Sequence, residues 1–135
     1  MSDDIVRNKT EIIRRCVARI TEEYHGNPSR LDDFTIQDSI VLNLLRACEA
    51  AIDLAMHHVA ENKLGVPQSS RDAFSLIEKS GALSAGTARA LSNMVGFRNI
   101  AVHSYQEIQQ PILEAILDRH LPDFETLINE LNPDP

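Results

Sequence analysis

The 135-residue chain has no tryptophan, and its aromatics are four Phe and two Tyr. No stretch alternates apolar and polar residues over a strand's length, which argues against a sandwich or barrel. Cysteine occurs only as Cys16 and Cys48, in no CxxC pair. That argues against a disulfide scaffold, and the two thiols read as small buried hydrophobes of a reducing cytoplasm. Five Gly and six Pro do not make a collagen-like or disordered composition. No window approaches about 18 consecutive apolar residues, so no membrane span is expected. Met1-Ser2-Asp3-Asp4 is acidic and lacks the apolar segment of a secretory signal. There is no internal repeat, glycine-rich phosphate loop or low-complexity linker.

What is present suits a soluble core. The chain is 43% hydrophobic and 24% charged, enough to bury roughly two thirds of its unfolded surface. Its length fits a single domain spanning 1–135. The net charge is −7, from 20 acidic and 13 basic residues. Taken alone, that argues against nucleic-acid binding, because phosphate affinity comes from Lys and Arg. The distribution points the other way. Between Lys79 and Gln106 there is no Asp or Glu, and the window holds Lys79, Arg89, Arg98 and His103. Arg7, Lys9, Arg14, Arg15 and Arg19 make the N-terminal segment locally basic. Much of the acid lies elsewhere, including Asp118, Asp123, Glu125, Glu130 and Asp134. An anionic ligand is drawn to the acid-free window rather than to the whole molecule.

The apolar spacing is helical throughout. From about Asp3 to Tyr24, the residues Ile5, Ile12, Ile13, Cys16, Val17, Ile20 and Tyr24 recur at helical intervals. Gly26-Asn27-Pro28-Ser29 ends that helix. A second helix starts near Thr35 to Asp38 and runs toward Lys63. Its stripe is Val41, Leu44, Leu45, Cys48, Ala51, Ile52, Ala55 and Val59, widened by Ile40, Ala47 and Leu54. That width marks it as the central helix. A third helix runs from Ser69-Ser70-Arg71-Asp72 to Ser80-Gly81, and a fourth from near Ser84 to about His103. The fifth starts near Pro111, with Pro122 expected to kink or split it. The expected fold is an all-α, up-and-down bundle of about five helices.

Chemistry concentrates at the end of the fourth helix, in Phe97-Arg98-Asn99-Ile100-Ala101-Val102-His103-Ser104-Tyr105. On an ideal helix Arg98 shares a side with Leu91, Met94, Val95, Ala101, Val102 and Tyr105. A permanent cation in an apolar stripe needs a partner, a cleft or a second subunit. Glu49 on the second helix is a geometric candidate for that partner. His103 lies about 140° from Arg98 on the same wheel, whereas Asn99 and His103 share a face. Arg98 and His103 therefore meet one anion only if the cleft wraps the helix edge or a second subunit completes it.

The string Arg98-Asn99-x-x-x-His103-x-Tyr105 resembles the Arg-x4-His-x-Tyr motif of HepT toxins. These are small HEPN-superfamily ribonucleases encoded beside an MNT-type nucleotidyltransferase antitoxin. The resemblance continues, in order, through Asp33-Phe34-Thr35, Asn43-Leu44, Glu49-Ala50, Leu64-Gly65-Val66-Pro67-Gln68-Ser69-Ser70-Arg71-Asp72 and Met94-Val95-Gly96-Phe97. It implies a dimeric HEPN-like bundle and metal-independent RNA cleavage by the 2′-hydroxyl, with no cofactor. An imidazole titrates near ~6.5, which suits His103 for proton transfer. A guanidinium binds two phosphate oxygens and stays charged, which suits Arg98. Asn99 takes a supporting role, orienting His103 or bonding the phosphate. A two-fold homodimer brings two motifs into one cleft. The resemblance also implies that the antitoxin adenylylates Tyr105, placing phosphates beside Arg98 where they repel RNA.

Two other readings stay open on the residues alone. One is a non-catalytic helical module that binds and assists a nucleotidyltransferase. The other is a dimeric scaffold with a buried Arg–carboxylate pair. Asp53 and His57, with His58 nearby, read as a hydrogen-bonded pair rather than a metal site. Arg14, Arg15 and Arg19 read as a solvated face or an extension of an RNA path.

Overall fold

A computed structural model describes residues 3–133, so the readings made for Met1, Ser2 and Asp134 lie outside it. Among the described residues there are six α-helices and no strand. They are α1 (Asp3–Tyr24), α2 (Phe34–Glu61), α3 (Ser70–Ser80), α4 (Ala85–His103), α5 (Gln110–Ala115) and α6 (Pro122–Leu131). Short 3₁₀ turns occupy Pro28–Asp32 and Tyr105–Glu107. Among the described residues, no helix is long and apolar enough to cross a membrane.

Helix ends follow local chemistry. Ser69 caps α3 by accepting from Asp72 N at 3.1 Å, and Ser84 caps α4 by accepting from Thr87 N at 3.2 Å. Gly81 closes α3 at φ 91°, a left-handed conformation that glycine adopts without steric cost. The start of α2 differs from the expected one. Asp33, rather than a residue from Thr35 onward, is the cap, and it accepts from Thr35 N and Ile36 N at 2.9 and 3.2 Å. The expected fifth helix is two helices. A π-helical turn, Ile116–His120, intervenes, and α6 starts at Pro122. Proline there donates no hydrogen bond and so suits a first helical turn.

α2, at 28 residues, is the spine of the bundle. It packs on α1, α3, α4 and α6. Its buried Ile40, Val41, Leu44, Ala47, Cys48, Ala51, Leu54, Ala55 and Val59 explain the wide apolar stripe. The α1 stripe is narrower than its sequence pattern: Ile13, Cys16, Ile20 and Tyr24 are buried, but Ile5 is exposed. Both cysteines are free and buried, and burial pushes the Cys48 thiol up to about 12. Phe74, Phe124, Leu113 and Leu127 complete a core shared by all six helices.

Candidate functional site at the end of the fourth helix

α4 is clamped at both ends of its buried stripe. At its start, Glu130 of α6 accepts from Ser84 N at 2.8 Å and from Thr87 Oγ1 at 2.8 Å. Further along, Leu91, Met94, Val95, Phe97 and Ala101 are buried against the bundle. Gly96 is used for close approach: a Cβ there would lie 2.7 Å from Arg71 Nη2. Arg71 crosses from α3 over this glycine and donates from Nε to Ser92 O at 3.1 Å.

Arg98 follows directly. Its Nη1 lies 3.5 Å from Glu49 Oε2 on α2, and its Nη2 donates to Ser70 Oγ at 3.2 Å at the start of α3. The Arg98–Glu49 pairing expected from the wheel is therefore present. The Arg98 side chain is 20% exposed and that of Glu49 is 49% exposed, so the pair sits at the rim of the core. Arg98 Nε is buried and has no hydrogen-bond partner among the described residues. Residues of two helices thus fix the guanidinium, whose Nε is enclosed without a partner among the described residues.

His103, the last residue of α4, is exposed, as is Asn99 one turn before it. No side-chain hydrogen bond joins Asn99 to His103 among the described residues. Arg98 turns inward and His103 outward, in keeping with their angular separation on the wheel.

Tyr105 lies off the ideal wheel on which it shares a side with Arg98, in keeping with a fourth helix expected to end at about His103. α4 stops at His103, Ser104 leaves the helix at φ −149°, and Tyr105 opens the following 3₁₀ turn. A shared helical face with Arg98 therefore cannot be read from their spacing. Instead Tyr105 donates its hydroxyl to Asp38 Oδ1 on α2. Burial and that carboxylate push the phenol up to about 12. Asp38 and Glu49 are three helical turns apart and share one face of α2. That face receives both Tyr105 and Arg98. Sequence reasoning missed Asp38 and Ser70; the eleven-residue spacing of Asp38 and Glu49 was the available signal.

The Asp53–His57 pair does not form. Asp53 bonds Lys9 Nζ at 2.9 Å, and the buried His57 Nε2 has no partner among the described residues. α1 passes alongside α2 and presents a stronger, permanently charged partner. Arg14 is not part of a free basic face: it grips Glu125 of α6 through two bonds of 3.0 and 2.6 Å. Arg15 and Arg19 of α1, with Arg46 of α2, line a groove of about 510 Å³. A cavity of about 370 Å³ between α4 and α5 is walled by Met94, Phe97, Ile100, Ile112 and Ile116. Neither Arg98 nor His103 lines it.

An all-α bundle that holds an arginine at the rim of its core and exposes a histidine at the same helix end offers groups of the kind that bind and act on anions. Comparison with known proteins sharpens this. The family model for ribonuclease HepT-like proteins matches residues 7–131. The mRNA nuclease HepT of Shewanella oneidensis is 45% identical over 127 residues, covering 94% of this chain and 96% of that protein. A crystal structure of a toxin–antitoxin with AMP-PNP contains a chain 44% identical to this one. It covers 97% of this chain and 99% of that one, with a TM-score of 0.92. A tri-AMPylated Shewanella oneidensis HEPN toxin in complex with an MNT antitoxin is 45% identical, covers 97% and 98%, and has a TM-score of 0.91. The chain belongs to the HepT-like ribonuclease family.

Proposed function

We propose that this chain is the ribonuclease toxin of a toxin–antitoxin pair and that it cuts RNA by attack of the 2′-hydroxyl, with no metal. Arg98 binds the scissile phosphate and His103 transfers the proton. Asn99 supports them by bonding the phosphate. The observation that carries the reading is the Arg98 guanidinium, held by Glu49 and Ser70 at the rim of the core on the same helix end as the exposed His103.

One protomer supplies one such histidine, whereas in-line displacement is best served by a base and an acid on opposite sides. A two-fold dimer supplies both. Val102 and Tyr105, on either side of His103 in the chain, are 49% and 40% exposed. An apolar margin of this kind beside the motif suits a subunit interface.

The partner is an MNT-type nucleotidyltransferase antitoxin that adenylylates Tyr105. The AMPylated HEPN toxin among the relatives supports this, and Tyr105 is accessible at the edge of the site. The test is intact mass of the chain with and without its partner, beside growth of cells carrying Arg98→Ala or His103→Ala. The expected result is a mass gain in AMP multiples, lost in Tyr105→Phe, with both site variants folded and harmless. Two folded variants that remain fully toxic would overturn the catalytic assignment. Altered partner binding with no RNA cleavage in the wild-type chain would replace it by a non-catalytic helper of the nucleotidyltransferase.

A further inference from the structure

The chain has two tyrosines, and each donates its hydroxyl to an aspartate: Tyr24 to Asp118 at 2.7 Å, and Tyr105 to Asp38. Burial and the paired carboxylate push both phenols up to about 12. Access separates them. Tyr24 is 4% exposed within the core, whereas Tyr105 is 40% exposed on the turn after α4. A reagent arriving from solvent reaches Tyr105 and not Tyr24.

A phenol titrating that high is ionised to only about one part in 10⁵ at neutral pH. Its attack on phosphorus therefore needs a group that removes the proton as the new bond forms. Among the described residues, Asp38 is the side chain that accepts the Tyr105 hydrogen bond. Asp38 is itself exposed, so a proton taken from the phenol can pass on to water. The Asp33 cap holds the first turn of α2 in place, with Asp38 about one turn beyond it.

We propose that Asp38 is the general base for nucleotidyl transfer to Tyr105. The proposal rests on the modification reading above. Tyr105 Oη forms a bond to the α-phosphorus of a nucleoside triphosphate. The bond from that phosphorus to the bridging oxygen breaks, and pyrophosphate leaves with the electron pair. The phenolic proton passes to Asp38 Oδ1 and then to water. The partner brings the triphosphate, while this chain supplies both nucleophile and base.

Asp38→Asn separates proton transfer from orientation. It keeps a side-chain oxygen that accepts the tyrosine hydrogen bond but takes no proton. The chain is incubated with its nucleotidyltransferase partner and ATP, and AMP addition is followed by intact mass. Asp38→Asn is expected to slow the initial rate by about 10²-fold or more. The half-saturating ATP concentration and the thermal midpoint are expected to stay at wild-type values. Asp38→Asn modified at the wild-type rate would overturn the proposal, even if Asp38→Ala were slow. Transfer lost in His103→Ala but kept in Asp38→Asn would also overturn it, by assigning the proton to the imidazole. The wild-type chain gaining no AMP would overturn the modification reading itself. AMP gained by the wild type and lost in Tyr105→Phe keeps that reading whatever Asp38 does.

Discussion

Replacing Arg98 by alanine distinguishes a catalytic cation from a structural one. The ion pair with Glu49 at 3.5 Å is partly exposed and contributes roughly 0–1 kcal/mol. The bond to Ser70 at 3.2 Å adds about 1–2 kcal/mol, and the packed stem a similar amount. Against these, the variant removes a buried, unpaired Nε, a relief of about 1–3 kcal/mol. Alanine also has a slightly better helix propensity. The midpoints of these ranges leave a net loss of about 1.5 kcal/mol, or a fall in Tm of roughly 5–8 °C. A fully buried pair broken on one side would cost roughly 3–5 kcal/mol. Catalysis should respond far more strongly. Losing a positioned donor to developing charge typically costs about 10²–10³-fold. Urea unfolding and single-turnover cleavage of a labelled RNA measure the two effects on the same preparation. Wild-type cleavage by folded Arg98→Ala refutes the phosphate-binding role. A loss of 3–5 kcal/mol with cleavage reduced only by the unfolded fraction makes the arginine a scaffold residue.

Three further outcomes follow from the same contacts. Asp33→Ala removes the cap of α2 from Thr35 N and Ile36 N and should cost about 0.5–2 kcal/mol, read by urea unfolding. Gly96→Ala gains roughly 0.5–1 kcal/mol of helix propensity but displaces the tip of Arg71 from 2.7 Å. Its thermal midpoint should therefore stay within a few degrees of wild type, and a collapse of the fold would show that Arg71 cannot move. The Arg14 hydrogen bond holds Glu125 below its ordinary carboxylate value of 4.5. Folding thus favours the charged form, so the stabilisation is full above that value and fades as pH falls through the lowered folded one. Both side chains are about half exposed, so Glu125→Gln should cost under about 1 kcal/mol at neutral pH. The difference from wild type should shrink in acid, as followed by melts across pH.

The helices were legible because their causes are local. The intervals of Ile13, Cys16, Ile20 and Tyr24 and the end signals at Ser69, Gly81 and Ser84 each act within a turn or two. The candidate motif was legible for a related reason. Arg98 is a charge in an apolar stripe, and that anomaly needs no tertiary information to detect. The end of α4 near His103 was legible too, but the contact that Tyr105 makes beyond it was not, since Asp38 lies on another helix. The Asp53–His57 reading failed because correct helical spacing says nothing about a competing Lys9 on another helix.

Sequence alone determined the all-helical architecture, the central place of α2 and the Arg98–His103 motif, all of which follow from a period of about 3.6 residues and from side-chain chemistry. Tertiary structure decided which groups meet. Ser70 lies 28 residues from Arg98, and Asp38 lies 67 residues from Tyr105. Such pairs arise only when separate helices pack. The packing is directed by apolar burial spread over many residues, while the hydrogen bond depends on the few polar atoms that burial happens to bring face to face.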